Sequence, residues 1–134
     1  MVELSGFHDG FFDGLWLSPT RCTHLFLRTA SGERFTLILG GMERANLTTL
    51  REGNILFDVA VVPTDQLTIE DISEASQLGA SESSIAAKML ENARQEGLAA
   101  LRISSSYGAS GAFLFKSSDM LQGHVIGKFD PVNL

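Results

Sequence analysis

Alternation of apolar and polar positions is clearest between residues 21 and 41, RCTHLFLRTASGERFTLILGG. Thr23, Leu25 and Leu27 fall on one face of an extended segment, and Phe35, Leu37 and Leu39 on one face of the next. The ASG between them puts Gly32 where a hairpin turn needs positive φ, so the two segments are predicted to pair. Upstream, FFDGLWLSP reads as a preceding strand stopped at Pro19, which cannot donate to a ladder. Even spacing places Phe12 and Trp16 on one face of that strand and Phe11 and Leu15 on the other. Asp13-Gly14 inside the run marks a candidate β-bulge. Three consecutive strands predict an antiparallel meander.

After Gly40-Gly41, MERANLTTLREGN reads as a loop or a short helical turn with Gly53 as its stop. NILFDVAVVP is a predicted strand ended by Pro63; Ile55, Phe57, Val59 and Val61 alternate with Leu56, Asp58, Ala60 and Val62, a pattern for a strand covered on both sides. The most polar interval, residues 64–84, separates this β-rich part from a helix predicted over about 83–96. Ser81 or Ser83 can cap that helix, Ala86, Met89, Leu90 and Ala93 give it a narrow apolar stripe, and Gly97 suits the left-handed position past its end. LAALRISSSYG and GAFLFKS follow as two strands around a Gly-rich turn, and Val125, Ile126 and Phe129 suggest a last edge strand. The expected architecture is α+β: one domain over 1–134, a curved, mainly antiparallel sheet of roughly five to seven strands with one principal helix packed on it.

Composition bounds the function more than it defines it. A chain of 134 residues, 44% hydrophobic and 19% charged, can bury a core. Its net charge of −6, with the basic residues scattered, disfavours nucleic acid, whose binding needs a Lys/Arg surface to displace counterions, and favours a basic partner. No apolar run approaches the roughly 20 residues of a membrane helix, and MVELSGFHDG carries neither a basic n-region nor an apolar h-region. Cys22 is alone, so no internal disulfide forms. A cytoplasmic protein is the expectation.

The candidate chemistry resolves mostly into turns. His8-Asp9 is flanked by Gly6 and Gly10 and feeds a strand, whereas His-Asp metal sites need further ligands at helical spacing. Asp9 and Asp13 each precede glycine, the strongest turn dipeptide, and an extended segment does not converge them as an acid–base pair. Cys22 and His24 lie on one face of a strand, lacking zinc-ligand loop spacing, and His124 is remote. SSSYGASGAF lacks the phosphate-loop pattern, and Asp65, Glu70, Asp71 and Glu74 follow no calcium-loop pattern and are read as solvating the connection. No metal, cofactor or catalytic residue is assigned.

HDG ahead of a strand, a hairpin closed by SGERFTL, REGNI entering a strand and a late SSYGA occur together and in order. That combination resembles a loose group of small bacterial proteins, some placed with the immunity proteins of polymorphic toxin systems. The resemblance implies a β-rich α+β domain without catalytic residues, and it carries His8, Asp9, Ser106, Tyr107 and Gly108 over as positions of interest for binding, with no role attached. The expected function is non-catalytic protein binding of the immunity type. The alternatives are a homo-oligomer joined through strand edges, or a small-ligand-binding or enzymatic β-barrel-like domain using His8, Asp9 and Tyr107.

Overall fold

A computed structural model describes residues 2–123; the tail containing His124, Val125, Ile126 and Phe129 lies outside the described residues. The strands are β1 (Val2–Glu3), β2 (Phe11–Leu17), β3 (Cys22–Arg28), β4 (Arg34–Gly40), β5 (Arg44–Thr48), β6 (Asn54–Val62), β7 (Ala99–Tyr107), β8 (Ser110–Phe115) and β9 (Ser117–Gln122). Two helices, α1 (Ile69–Ser76) and α2 (Ser83–Gln95), lie between β6 and β7. The fold is α+β, and every strand pair is antiparallel.

The order β5-β8-β7-β6-β2-β3-β4-β9 begins and ends on strands that are joined to their neighbours in sequence. β5 follows β4 after residues 41–43, and β9 follows β8 after Lys116 alone. β4–β5 and β8–β9 are therefore two bent strands that pair along their length, Phe35 with Gln122 through Gly40 with Ser117, then Arg44 with Leu114 through Thr48 with Ser110. The ring of pairing thus closes. Its interior takes Phe12, Leu25, Leu27, Leu37, Leu39, Leu56, Val59, Leu101, Ile103, Phe113 and Phe115 into one buried cluster, to which Leu47 of β5 and Met120 of β9 are added. Side chains from every barrel strand meet there, as a small closed barrel requires.

A second cluster lies outside the ring. Val62, Ala100, Ala112 and Leu114 on the outer surface of β6, β7 and β8 pack with Ile72 and Ala75 of α1 and Ala86 and Ala93 of α2. α1 lies against β5 and β8, and α2 packs chiefly on α1. The stripe predicted for α2 is the face it buries, and Gly97 takes the left-handed conformation past its end, where Leu98 N–H donates to the Ala93 carbonyl.

Several expectations need correction. The segment 44–48 is a strand, β5, and the polar connection contains α1. Neither Ser81 nor Ser83 caps α2: Ser83 is already helical, and Glu82 stands at the cap position without a side-chain bond. Asp71 does not solvate the connection; it is fully buried. Its carboxylate accepts from the Thr68 amide at 2.9 Å while Thr68 Oγ1 accepts from the Asp71 amide, a capping box for α1. The other oxygen accepts from Arg102 Nε on β7 at 2.6 Å, so one residue both starts α1 and fastens it to the barrel.

The register of β2 slips between Phe12 and Gly14, where Asp13 is the extra residue. That bulge reverses side-chain parity, which is why Phe12 and Leu15, rather than Phe12 and Trp16, contribute to the interior. Trp16 is turned out to 52% exposure. A similar irregularity at Leu56–Asp58 leaves Phe57 outside, so β6 is covered on both faces only from Val59 onward.

Candidate functional site

His8 and Asp9 occupy the middle of a turn closed by Gly10 N–H to the Phe7 carbonyl, with Asp9 at φ 61°. The Asp9 amide donates to the Leu56 carbonyl, and His8 Nδ1 donates to the Phe57 carbonyl at 2.8 Å, which places the proton on that nitrogen. The His8 ring meets Phe57 edge to face at 5.3 Å, and its Nε2 lies 3.6 Å from Asp9 Oδ2. Both side chains are largely exposed. The turn therefore clips the N-terminal segment onto the bulge of β6.

Ser106, Tyr107 and Gly108 approach the same bulge from its other side. Tyr107 pairs with Ile55, and Ser106 Oγ donates to the Ile55 carbonyl at 3.4 Å. β6 thus separates the two groups by two inter-strand steps, about 10 Å of backbone. Tyr107 turns instead toward Arg51, whose guanidinium carbon is 5.9 Å from the ring centroid. Gly108, at φ 92°, is needed because a Cβ there would enter Asn54.

Asn54 is the residue around which this end of the barrel is organised, although in the sequence it is only the first residue of the predicted strand NILFDVAVVP. It is 3% exposed. Its Oδ1 accepts from the amides of Arg51 and Ala109, each at 2.9 Å, and its Nδ2 donates to the carbonyls of Phe12 and Arg51. All of its amide's hydrogen-bonding capacity is used, tying β2, the 51–53 turn and the β7–β8 turn together.

The outer surface of β2, β3, β4 and β9 is the part of the barrel that the helices leave open. Cross-strand partners Trp16, His24, Ile38 and Asp119 form one row across it, and Gly14, Phe26, Thr36 and Leu121 the next. Trp16 and His24 stack with ring centroids 5.0 Å apart. Leu121 is 49% exposed, and Leu17 at the strand end is exposed too. Beside these rows Arg28 lies over the Phe11 ring at 4.4 Å and donates to Asp13 Oδ2 at 2.6 Å. That hydrogen bond, with the Asp13 charge, outweighs burial and raises the Arg28 pKa above its ordinary value.

No family model, curated protein or solved structure matches this chain. Function must therefore be argued from the surface itself. Three clefts interrupt it. One of about 190 Å³ lies between the helices and β8, with Ile72, Met89 and Leu114 among its walls. Another of about 300 Å³ lies between the N-terminal segment and β9 beside Phe35 and Met120. A further one, of about 410 Å³, opens at the corner where β4 and β8 bend. His8, Asp9, Ser106, Tyr107 and Gly108 line none of the three. Among the described residues, no three His, Cys, Asp or Glu side chains gather as metal ligands, and no helix is long and apolar enough to cross a membrane.

Proposed function

We propose that this chain is a single-domain, non-catalytic protein-binding module of the immunity type, acting in the cytoplasm on a basic partner. The observation that carries the reading is the outer surface of β2, β3, β4 and β9, which the helices do not cover, with Trp16 half exposed at the β2 end of its row. An antiparallel sheet face without a helical cover normally carries polar side chains; this one carries Trp16, Phe26, Ile38 and Leu121. Tryptophan in such a setting is the residue type most enriched among binding hot spots. The net charge of −6, with Asp119 in the row of Trp16, supports a cationic partner through steering and complementarity. His8 and Asp9 would then serve as rim contacts, being exposed and joined to backbone on the β6 side. Scaffolding through strand edges has less support, because ring closure uses most of the edges that would have to pair.

The test is gel filtration of the protein mixed with basic proteins encoded beside its gene, with Trp16 emission recorded on the same mixtures. Co-elution with a blue shift is expected. Trp16→Ala and Leu121→Ser should each weaken the complex by about 2 kcal/mol or more without changing the far-UV circular dichroism. A complex indifferent to both substitutions, or no complex with any such protein, overturns the proposal.

A further inference from the structure

We propose that the corner cleft is a binding site for a small organic anion, a molecule with one carboxylate or phosphate group on a short apolar body. This stands independently of the protein-binding reading, because the cleft lies at the bend of the barrel and its chemistry is set by different residues. At about 410 Å³ it falls within the range of about 300–1,000 Å³ in which small-molecule sites lie. Arg21 and Lys116 both line it, and neither has a carboxylate within salt-bridge distance among the described residues. Whereas Arg28 and Arg102 are each neutralised by an aspartate, this cleft brings two cations together with Glu43 as its one carboxylate.

The backbones of both residues are fixed at the cleft. Arg21 holds a left-handed conformation, φ 62°; its amide donates to the Ser18 carbonyl and its carbonyl accepts from the Gly41 amide at 3.3 Å. Lys116 is the link between β8 and β9, its amide bonded to the Gly40 carbonyl at 2.9 Å. The lysine stem lies across Gly41, where a Cβ would come within 3.1 Å of three of its carbons. Glycine at 41 therefore serves two ends: it permits the bend at φ 63°, and it leaves the space along which the lysine stem is laid. With both backbones fixed at the cleft, the two side chains can offer charge-assisted hydrogen bonds to one oxyanion.

The remaining walls define what else the ligand carries. Leu17, Met42 and the Cys22 thiol offer an apolar surface, with Met42 fixed by Thr23 Oγ1 at 3.5 Å from its sulfur. Ser18 contributes a hydroxyl already engaged with Thr20, and Glu43 contributes a single carboxylate. Glu43 leaves the cleft with one net positive charge, which favours a singly charged anion over a polyanion.

Amide chemical shifts of the ¹⁵N-labelled protein, titrated with butyrate, inorganic phosphate and butylammonium, test the assignment. Butyrate is expected to saturate in the low millimolar range, roughly where a few favourable contacts place a fragment of its size. Its shifts should centre on residues 18–23, 41–43 and 116. Phosphate saturating more tightly than butyrate would identify the phosphate form of the ligand, the reverse the carboxylate form. The Arg21→Gln, Lys116→Gln double variant should bind about tenfold more weakly or worse, the loss of a charge-assisted hydrogen bond. Glu43→Gln should bind more tightly, and its fold is not at risk because the residue is exposed. Equal shifts from butylammonium, failure of both anions to saturate, or unchanged affinity in a folded double variant overturns the site.

Discussion

Asn54 carries structural consequence out of proportion to its size. Four backbone groups depend on its amide, two as donors and two as acceptors; the bonds to Phe12 and Ala109 are buried and the two to Arg51 partly so. Asn54→Ala is expected to lower stability by about 3 kcal/mol, since each buried partner left unsatisfied costs about 1 kcal/mol or more. Asn54→Asp should be no milder, because an oxygen would then face the Phe12 and Arg51 carbonyls. Urea denaturation measures both; a loss below about 1 kcal/mol for either would show that these bonds are replaceable. Arg28 behaves differently. Its pKa is raised in the folded state, so its contribution is full below the ordinary arginine pKa and is lost only as pH rises through the still higher folded value, well above the physiological range.

At the scale of elements, α1 depends on Asp71. Removing that carboxylate in Asp71→Ala takes away both the capping box and the ion pair to Arg102, and a loss of about 3 kcal/mol is expected. Arg102 is about a third exposed, so water moderates the cost of losing that ion pair. Asp71→Asn keeps an acceptor for the Thr68 amide and should lose less; equal losses would assign the whole effect to the charge. The hairpin of β3 and β4 and the stripe of α2 were legible in the sequence because their periodicity runs unbroken. α1 was not, since eight residues give little periodicity and its acids, Asp71 included, resemble a solvated linker. The bulge at Asp13-Gly14 could be read locally, but its effect on Trp16 could not. A single extra residue reverses every side chain beyond it, and only the register with β3 reveals that. Arg21 and Lys116 lie far apart in the chain, so their shared cleft had no local signature.

Across the whole molecule, the interior is assembled from all the strands that form the ring, with the helical layer fastened on one side by Asp71–Arg102 and by the buried cluster it shares with Val62, Ala100, Ala112 and Leu114. Such an arrangement should unfold as one unit. Thermal transitions followed by far-UV circular dichroism and by Trp16 emission are expected to coincide, because Trp16 reports the barrel and the helices dominate the ellipticity. An earlier loss of ellipticity would mean that the helical layer melts by itself. The single-residue link at Lys116 also constrains how this chain can change in length. A hairpin tip such as 30–32 can take an insertion and merely bulge into solvent. At Lys116, an added or missing residue would put β9 out of phase with β4 while β8 stayed in phase with β5, and the ring would open like a misbuckled belt. Length variation is thus confined to the tips and the interhelical turn, leaving the clasp at constant size.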